Sequence, residues 1–361
     1  MALRSEIDRA GGWISFARYM ELALYAPGLG YYTAGASKLG AEGDFVTAPE
    51  LSALFGRTLA HQIAQILSLT GGDVLELGAG SGAMASDVLA ELRSLDCLPR
   101  RYLILETSPQ LAQRQRNRLR QRRLPASGRV EWAVTLPQEF QGVIMANEVL
   151  DALPVHLVAW REAGLYERGV GWNSDFVWAE RPLHAGSVHD AARSIGVQPP
   201  YLSEIALMAP ALVRSLAASL RAGALLLIDY GFGQREYYHP QRSQGTLMCH
   251  YRHRAHADPF YLPGLQDITA HVDFTALAQA GIDAGLALLG YTTQAQFLIN
   301  NGITRLLEQA GVQQGGFTLA AGAQTLLSPA EMGELFKVVA LGRGIEVPLA
   351  GFATGDKSRL L

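Results

Sequence analysis

Short apolar runs alternate with amphipathic stretches through most of this chain, and the alternation begins abruptly near residue 73. The runs fall at 74–77, 102–106, 130–134, 143–146 and 224–229. Each is apolar nearly throughout, which predicts strands covered on both faces, as in a parallel sheet between helix layers. Stretches 83–93, 109–123 and 210–221 carry helical spacing between them. Strands and helices in turn predict an open, doubly wound α/β sheet.

Before residue 73 the pattern is different. Residues 14–24 and 49–69 read as helices, the second opening on Pro49 and Glu50, both favourable in a first turn. Between them, 27–43 is rich in glycine and tyrosine. Beyond the first strands, 155–180 alternates residue by residue around a Gly-Val-Gly at 169–171, as antiparallel strands do. Residues 231–267 are polar and rich in His, Arg, Tyr and Pro, a length of loop that is usually functional. A helix at 274–284 and strands near 286–297 and 335–341 complete the expectation. The chain thus divides into a helical, lid-forming segment 1–70 and a core 71–361 with insertions near 155–205, 231–270 and 300–332.

Composition narrows the class. With 49% hydrophobic and 17% charged residues, the 361-residue chain can bury a large core. A net charge of −3 gives no footprint for nucleic acid. Two cysteines, Cys97 and Cys249, exclude a disulfide framework and suit a reducing compartment. The early acids Glu6, Asp8 and Glu21 argue against a targeting peptide, and no apolar run approaches the roughly 20 residues of a membrane span. The expectation is a cytoplasmic protein, with the apolar stretch 16–24 serving as core or as a homodimer interface.

The chemistry concentrates where strands end. Glu76-Leu77-Gly78-Ala79-Gly80-Ser81-Gly82 carries a strand into three alternating glycines and then a helix. Glycine permits the tight turn and close approach of a ligand to the backbone. The next strand ends in Glu106, placed to accept both hydroxyls of an adenosine ribose. The turn by itself also fits a dinucleotide. Two features favour S-adenosylmethionine: the third glycine stands at 82 rather than 83, and Glu76 lies just before the turn. A carboxylate there opposes a pyrophosphate but suits an ammonium and a sulfonium. A strand at 143–146 then runs into Asn147-Glu148-Val149-Leu150-Asp151-Ala152-Leu153-Pro154. Glu148 and Asp151 share a face if the segment turns helically, and together they could hold a guanidinium. An Asn cap with early helix acids is the plainer alternative.

This segment, with Gly43-Asp44-Phe45-Val46-Thr47-Ala48-Pro49-Glu50, Asp229-Tyr230-Gly231 and Asp267-Ile268-Thr269-Ala270-His271-Val272-Asp273-Phe274, resembles the MidA family of methyltransferases. The matches run in the family's order over roughly residues 16–341. The resemblance implies a Rossmann-like class I methyltransferase core, with a mostly parallel seven-stranded sheet and added helices and hairpins. It implies cofactor contacts from Asp44, Thr47, Glu50, Gly78, Gly80 and Glu106, to which the glycine turn adds Glu76 and Gly82. Asn147 and Glu148 are implied to line the site. The family includes a mitochondrial complex I assembly factor that methylates a protein arginine, so a protein arginine is the implied acceptor. Where relatives often carry Arg after the Gly245-Thr246-Leu247 triplet, this chain has Met248.

Glu148 and Asp151 are the candidate catalytic acids, and His271 a candidate base, although local capping by the His271–Asp273 stretch is an equal alternative. His250, His253 and His256 recur every three residues, but no thiolate or carboxylate completes a metal set, and a loop lining the substrate cleft is preferred. The six arginines of 113–123 read as a solvated helix face. Tyr25, Tyr31 and Tyr32 fit either an aromatic lid or packing. A nicotinamide oxidoreductase, a small-molecule methyltransferase and a non-catalytic cofactor-binding protein remain as competing readings.

Overall fold

A computed structural model describes residues 2–34, 46–122, 129–311 and 316–361. Seven strands make the central sheet: β1 (Asp73–Leu77), β2 (Tyr102–Leu105), β3 (Val130–Ala133), β4 (Phe140–Asn147), β5 (Leu220–Phe232), β6 (Ala287–Thr293) and β7 (Phe336–Arg343). Their order across the sheet is β6-β7-β5-β4-β1-β2-β3, and the two-residue strand Val272–Asp273 joins the end of β5 as an eighth. Strands β1 to β5 pair in parallel. β7 is antiparallel to both of its neighbours.

The apolar runs are explained by two cores, one on each face. Val74, Val143, Met145, Leu226 and Ile228 pack under the helices Ala53–Thr70 and Ala83–Ser94. Their chain neighbours Leu75, Ile144, Ala146, Leu225 and Leu227 face Met208–Ser219 and Phe274–Asp283. Period-two alternation with both faces covered leaves few polar positions, so the strands read as nearly unbroken hydrophobic blocks, with Glu76 and Asp229 as exceptions.

Outside the core, Trp13–Ser15, His156–Arg161, Gly164–Asn173, Asp175–Pro182 and Tyr201–Ile205 form a second, antiparallel sheet. Residues 231–267 are partly ordered as a hairpin, Met248–Tyr251 with Arg254–His256, which pairs Asp267–Thr269.

Local capping moves three expected boundaries. Ser15 ends a short strand and accepts the Arg18 N–H at 3.2 Å, so the first apolar helix is Phe16–Tyr25. Ser52, extended and bonded from Leu54 N–H, splits the stretch 49–69 into Ala48–Leu51 and Ala53–Thr70. Thr293 stops β6 and caps the helix Gln294–Asn300, where 286–297 had been expected as strand. Ser and Thr favour such positions because their oxygens satisfy orphan helix N–H groups.

Candidate active site

A cavity of about 390 Å³ opens at the carboxyl ends of β1, β2 and β4, where an open α/β sheet offers a crevice. Its floor is the glycine turn. Gly78, Gly80 and Gly82 take φ of 61°, 52° and 82°, a region that side chains resist. A Cβ on Gly78 would stand 3.0 Å from Val149 Cγ2. Gly78 and Gly80 line the cavity. Gly82 does not: a Cβ there would meet Gln115 at 3.2 Å, so this glycine admits the helix Pro109–Gln121 rather than a ligand.

Carboxylates stand around the floor. Glu76 is fully buried, takes a hydrogen bond from the Tyr102 hydroxyl on one oxygen, and has no partner on the other. Burial raises its pKa to about 7. Glu106 accepts the Ser108 N–H at 2.8 Å and the Gln115 amide at 2.9 Å, and burial pushes it above the usual range. Glu50 and Thr47 come from the short N-terminal segment, and both line the cavity. Arg118 donates to Glu50 at 2.8 Å and to Ser81 Oγ at 2.7 Å, and Ser81 also bonds Glu50. Asp44 lies outside the described residues.

At the end of β4 the chain turns sharply. Glu148 adopts φ of 53° and holds its place by donating its N–H to Ile228 O. Its Oε1 accepts the Ala48 N–H at 3.1 Å and the Asn147 amide at 3.0 Å. Asn147 Oδ1 is buried without a partner. Burial raises Glu148 to about 7. Behind it, Asp229 Oδ2 gathers the N–H groups of Val149, Leu150 and Asp151 at 3.2, 2.9 and 3.3 Å. Burial, with Asp151 and Glu148 nearby, holds Asp229 well above the carboxylate range. Asp151 accepts the Tyr230 hydroxyl and sits beneath the turn, off the cavity wall. Burial raises it to about 6.

Tyr25 and Tyr32 also line the cavity, their rings stacked 5.5 Å apart and their hydroxyls fixed on Ala152 O and Asp267. Tyr31 is buried in the neighbouring core instead. His271 lines a separate cavity of about 180 Å³ beyond β5, beside Tyr230 and Phe232, with Nδ1 unpartnered. Burial lowers it to about 4, so it is neutral. Asp273 caps the helix after it through Thr275 and Ala276 N–H groups.

The hairpin carrying His250, His253 and His256 contributes nothing to the wall of the main cavity. Among the described residues no group of His, Cys, Asp or Glu is disposed to hold a metal. The arginine-rich helix is less solvent-directed than its composition suggests. Arg118 turns to Glu50, Arg122 to Asp87 at 3.3 Å, and Arg116 lies over Trp132.

The donor set fits a nucleoside with a cationic tail: a glycine floor, a carboxylate at the end of β2, and buried acceptors, Glu76 Oε1 and Asn147 Oδ1, that lack donors. This strand order and cavity define a class I S-adenosylmethionine-dependent methyltransferase. The family model for S-adenosyl-L-methionine-dependent methyltransferases matches residues 58–292, and the chain belongs to that family. A Burkholderia thailandensis protein solved with bound S-adenosyl-homocysteine is 50% identical, with a TM-score of 0.96, covering 100% of this chain and 95% of that one. The mitochondrial protein arginine methyltransferase NDUFAF7 of Danio rerio is 30% identical, over 91% of this chain and 83% of its own length. Its human counterpart is 28% identical, over 92% and 81%. These matches carry the MidA resemblance across the whole fold. Among the described residues no helix is long and apolar enough to cross a membrane.

Proposed function

We propose that this methyltransferase acts on the arginine side chain of a protein. The observation that carries the reading is the acceptor-only end of the cavity. Both hydrogen bonds to Glu148 fall on Oε1, leaving Oε2 unbonded among the described residues on a side chain that lines the cavity. A guanidinium brings five N–H donors and no acceptor, and carboxylates hold it in a fixed plane. The names of the mitochondrial relatives support the same acceptor.

In this reading Glu106 receives the ribose hydroxyls, and Gly78 and Gly80 let the ligand lie against the backbone. Glu76 faces the ammonium end, and Thr47 and Glu50 close the cavity from the N-terminal side. When bound, S-adenosylmethionine supplies an electrophilic methyl group on a sulfonium. Glu148 orients the acceptor nitrogen toward the cavity, and its charge offsets the positive charge that grows on the guanidinium. The proton lost afterwards can pass to Glu148, whose affinity for it lies near neutrality. Asp151 and Asp229 act from behind, by fixing the turn.

The test is peptide-level mass spectrometry of cells with and without the chain, using isotope-labelled methionine. Labelled methyl-arginine that disappears with the chain is expected. Label confined to small metabolites, with no protein residue changed, would sink the arginine reading and leave methyl transfer intact.

A further inference from the structure

We propose that Gln115 is a positioning residue for the cofactor, holding the Glu106 carboxylate and the glycine turn in one fixed relation so that Glu106 meets the ribose hydroxyls. This rests on the ribose assignment of Glu106 made above.

Ala112, Gln115 and Leu119, the buried residues of the helix Pro109–Gln121, share one face at (i, i+3) and (i, i+4) spacing. That face is turned inward, and an apolar stripe would be expected there. Instead Gln115 has 0% exposure. Burying a primary amide costs free energy unless both its ends are bonded. Both are. Nε2 donates to Gly80 O at 3.0 Å and to Glu106 Oε2 at 2.9 Å, while Oε1 accepts the Trp132 indole N–H at 2.8 Å. One side chain therefore ties the turn after β1 to the end of β2 and to β3.

Glu106 is held at its other oxygen by the Ser108 N–H. A carboxylate has about four acceptor positions, so two bonds fix its plane and leave capacity for two hydroxyls. Gly82 makes room for this arrangement, because a Cβ there would meet Gln115 atoms at 3.2 to 3.4 Å. A leucine or methionine at 115 would fill the space but leave Gly80 O, Trp132 N–H and Glu106 without their partner. A glutamate would match the shape and keep the Trp132 bond, but it has no donor for Glu106.

The experiment measures calorimetric affinity of the full chain for S-adenosylhomocysteine and for its 2′-deoxy analogue. The unsubstituted protein should prefer the complete ribose. Gln115→Met should weaken S-adenosylhomocysteine by about 10-fold or more, the scale of a hydrogen bond to a charged group, and lose most of the preference. Its KM for S-adenosylmethionine should rise more than kcat falls. Combined with Glu106→Ala it should add little, since the two act through one contact. A folded Gln115→Met protein that keeps the full ribose preference overturns the proposal. If Gln115→Met does not fold, Gln115→Glu serves. Its binding should weaken from pH 6 to pH 8 more steeply than that of the unsubstituted protein, because a shared proton restores the donor only at low pH. A profile parallel to the unsubstituted one overturns the proposal. Equal affinity of the unsubstituted protein for both ligands would remove the ribose role of Glu106 and the proposal with it.

Discussion

Glu148 combines two costly features in one residue: a left-handed backbone in a non-glycine residue and a poorly solvated carboxyl on a half-buried side chain. Such a backbone costs roughly 1–3 kcal/mol and persists only where its surroundings over-determine it. Here they do, through Ile228 O, the Ala48 N–H and the Asp229 carboxylate that gathers the next three N–H groups. Burial raises the Glu148 pKa to about 7, so the folded chain favours the protonated form. Its contribution to stability is therefore present at low pH and lost as pH rises through about 7. The thermal midpoint of Glu148→Gln minus that of the unsubstituted protein should grow between pH 5.5 and pH 8. A flat difference would show that Glu148 does not titrate there. Activity follows the opposite sign, since the anion holds the guanidinium. kcat/KM should rise from pH 6 to pH 8, and Glu148→Gln should lose about 10²-fold, the scale of one preorganised charge.

At the scale of elements, the short helix Ala48–Leu51 joins the two ends of the cavity. Its Ala48 N–H holds Glu148, and its Glu50 is held by Arg118 and Ser81. Arg118 is partly exposed, so its pair with Glu50 is worth about 1 kcal/mol at most. Arg118→Ala should raise KM for S-adenosylmethionine by about 5-fold, the same energy expressed as a ratio, with kcat less affected. A fall mainly in kcat would place Arg118 with the acceptor rather than the cofactor. The glycine turn was legible in sequence because a strand, its turn and its helix are contiguous. Arg118 and Gln115 were not, since the arginine-rich stretch looks solvated until the helix docks on the turn. The same holds for Tyr25 and Tyr32, whose partners Ala152 and Asp267 lie more than a hundred residues away.

For the whole molecule, the cavity draws on the N-terminal segment, the glycine turn and the ends of β2 and β4. Ligand binding should therefore tighten all of them at once. S-adenosylhomocysteine at 100 times its Kd should add about 2.7 kcal/mol and raise the thermal midpoint by several degrees. Hydrogen exchange should slow in residues 25–33 and 46–51 as well as in 78–82 and 147–153. Protection confined to the glycine turn would show that the N-terminal segment does not close on the ligand. What the sequence by itself determined is the run of central strands, their burial on both faces, and which residues stand at their carboxyl ends. Glu76, Gly78, Gly80, Glu106, Asn147 and Glu148 were legible there, because periodicity and turn composition are local properties. Tertiary structure alone decided which strand ends meet. It set Asp151 beneath the turn and gave Gly82 to helix packing. His271 went beyond β5, because the strand Val272–Asp273 pairs with the end of β5 while the main cavity lies over β1, β2 and β4. Strand order, which no local pattern encodes, makes that choice.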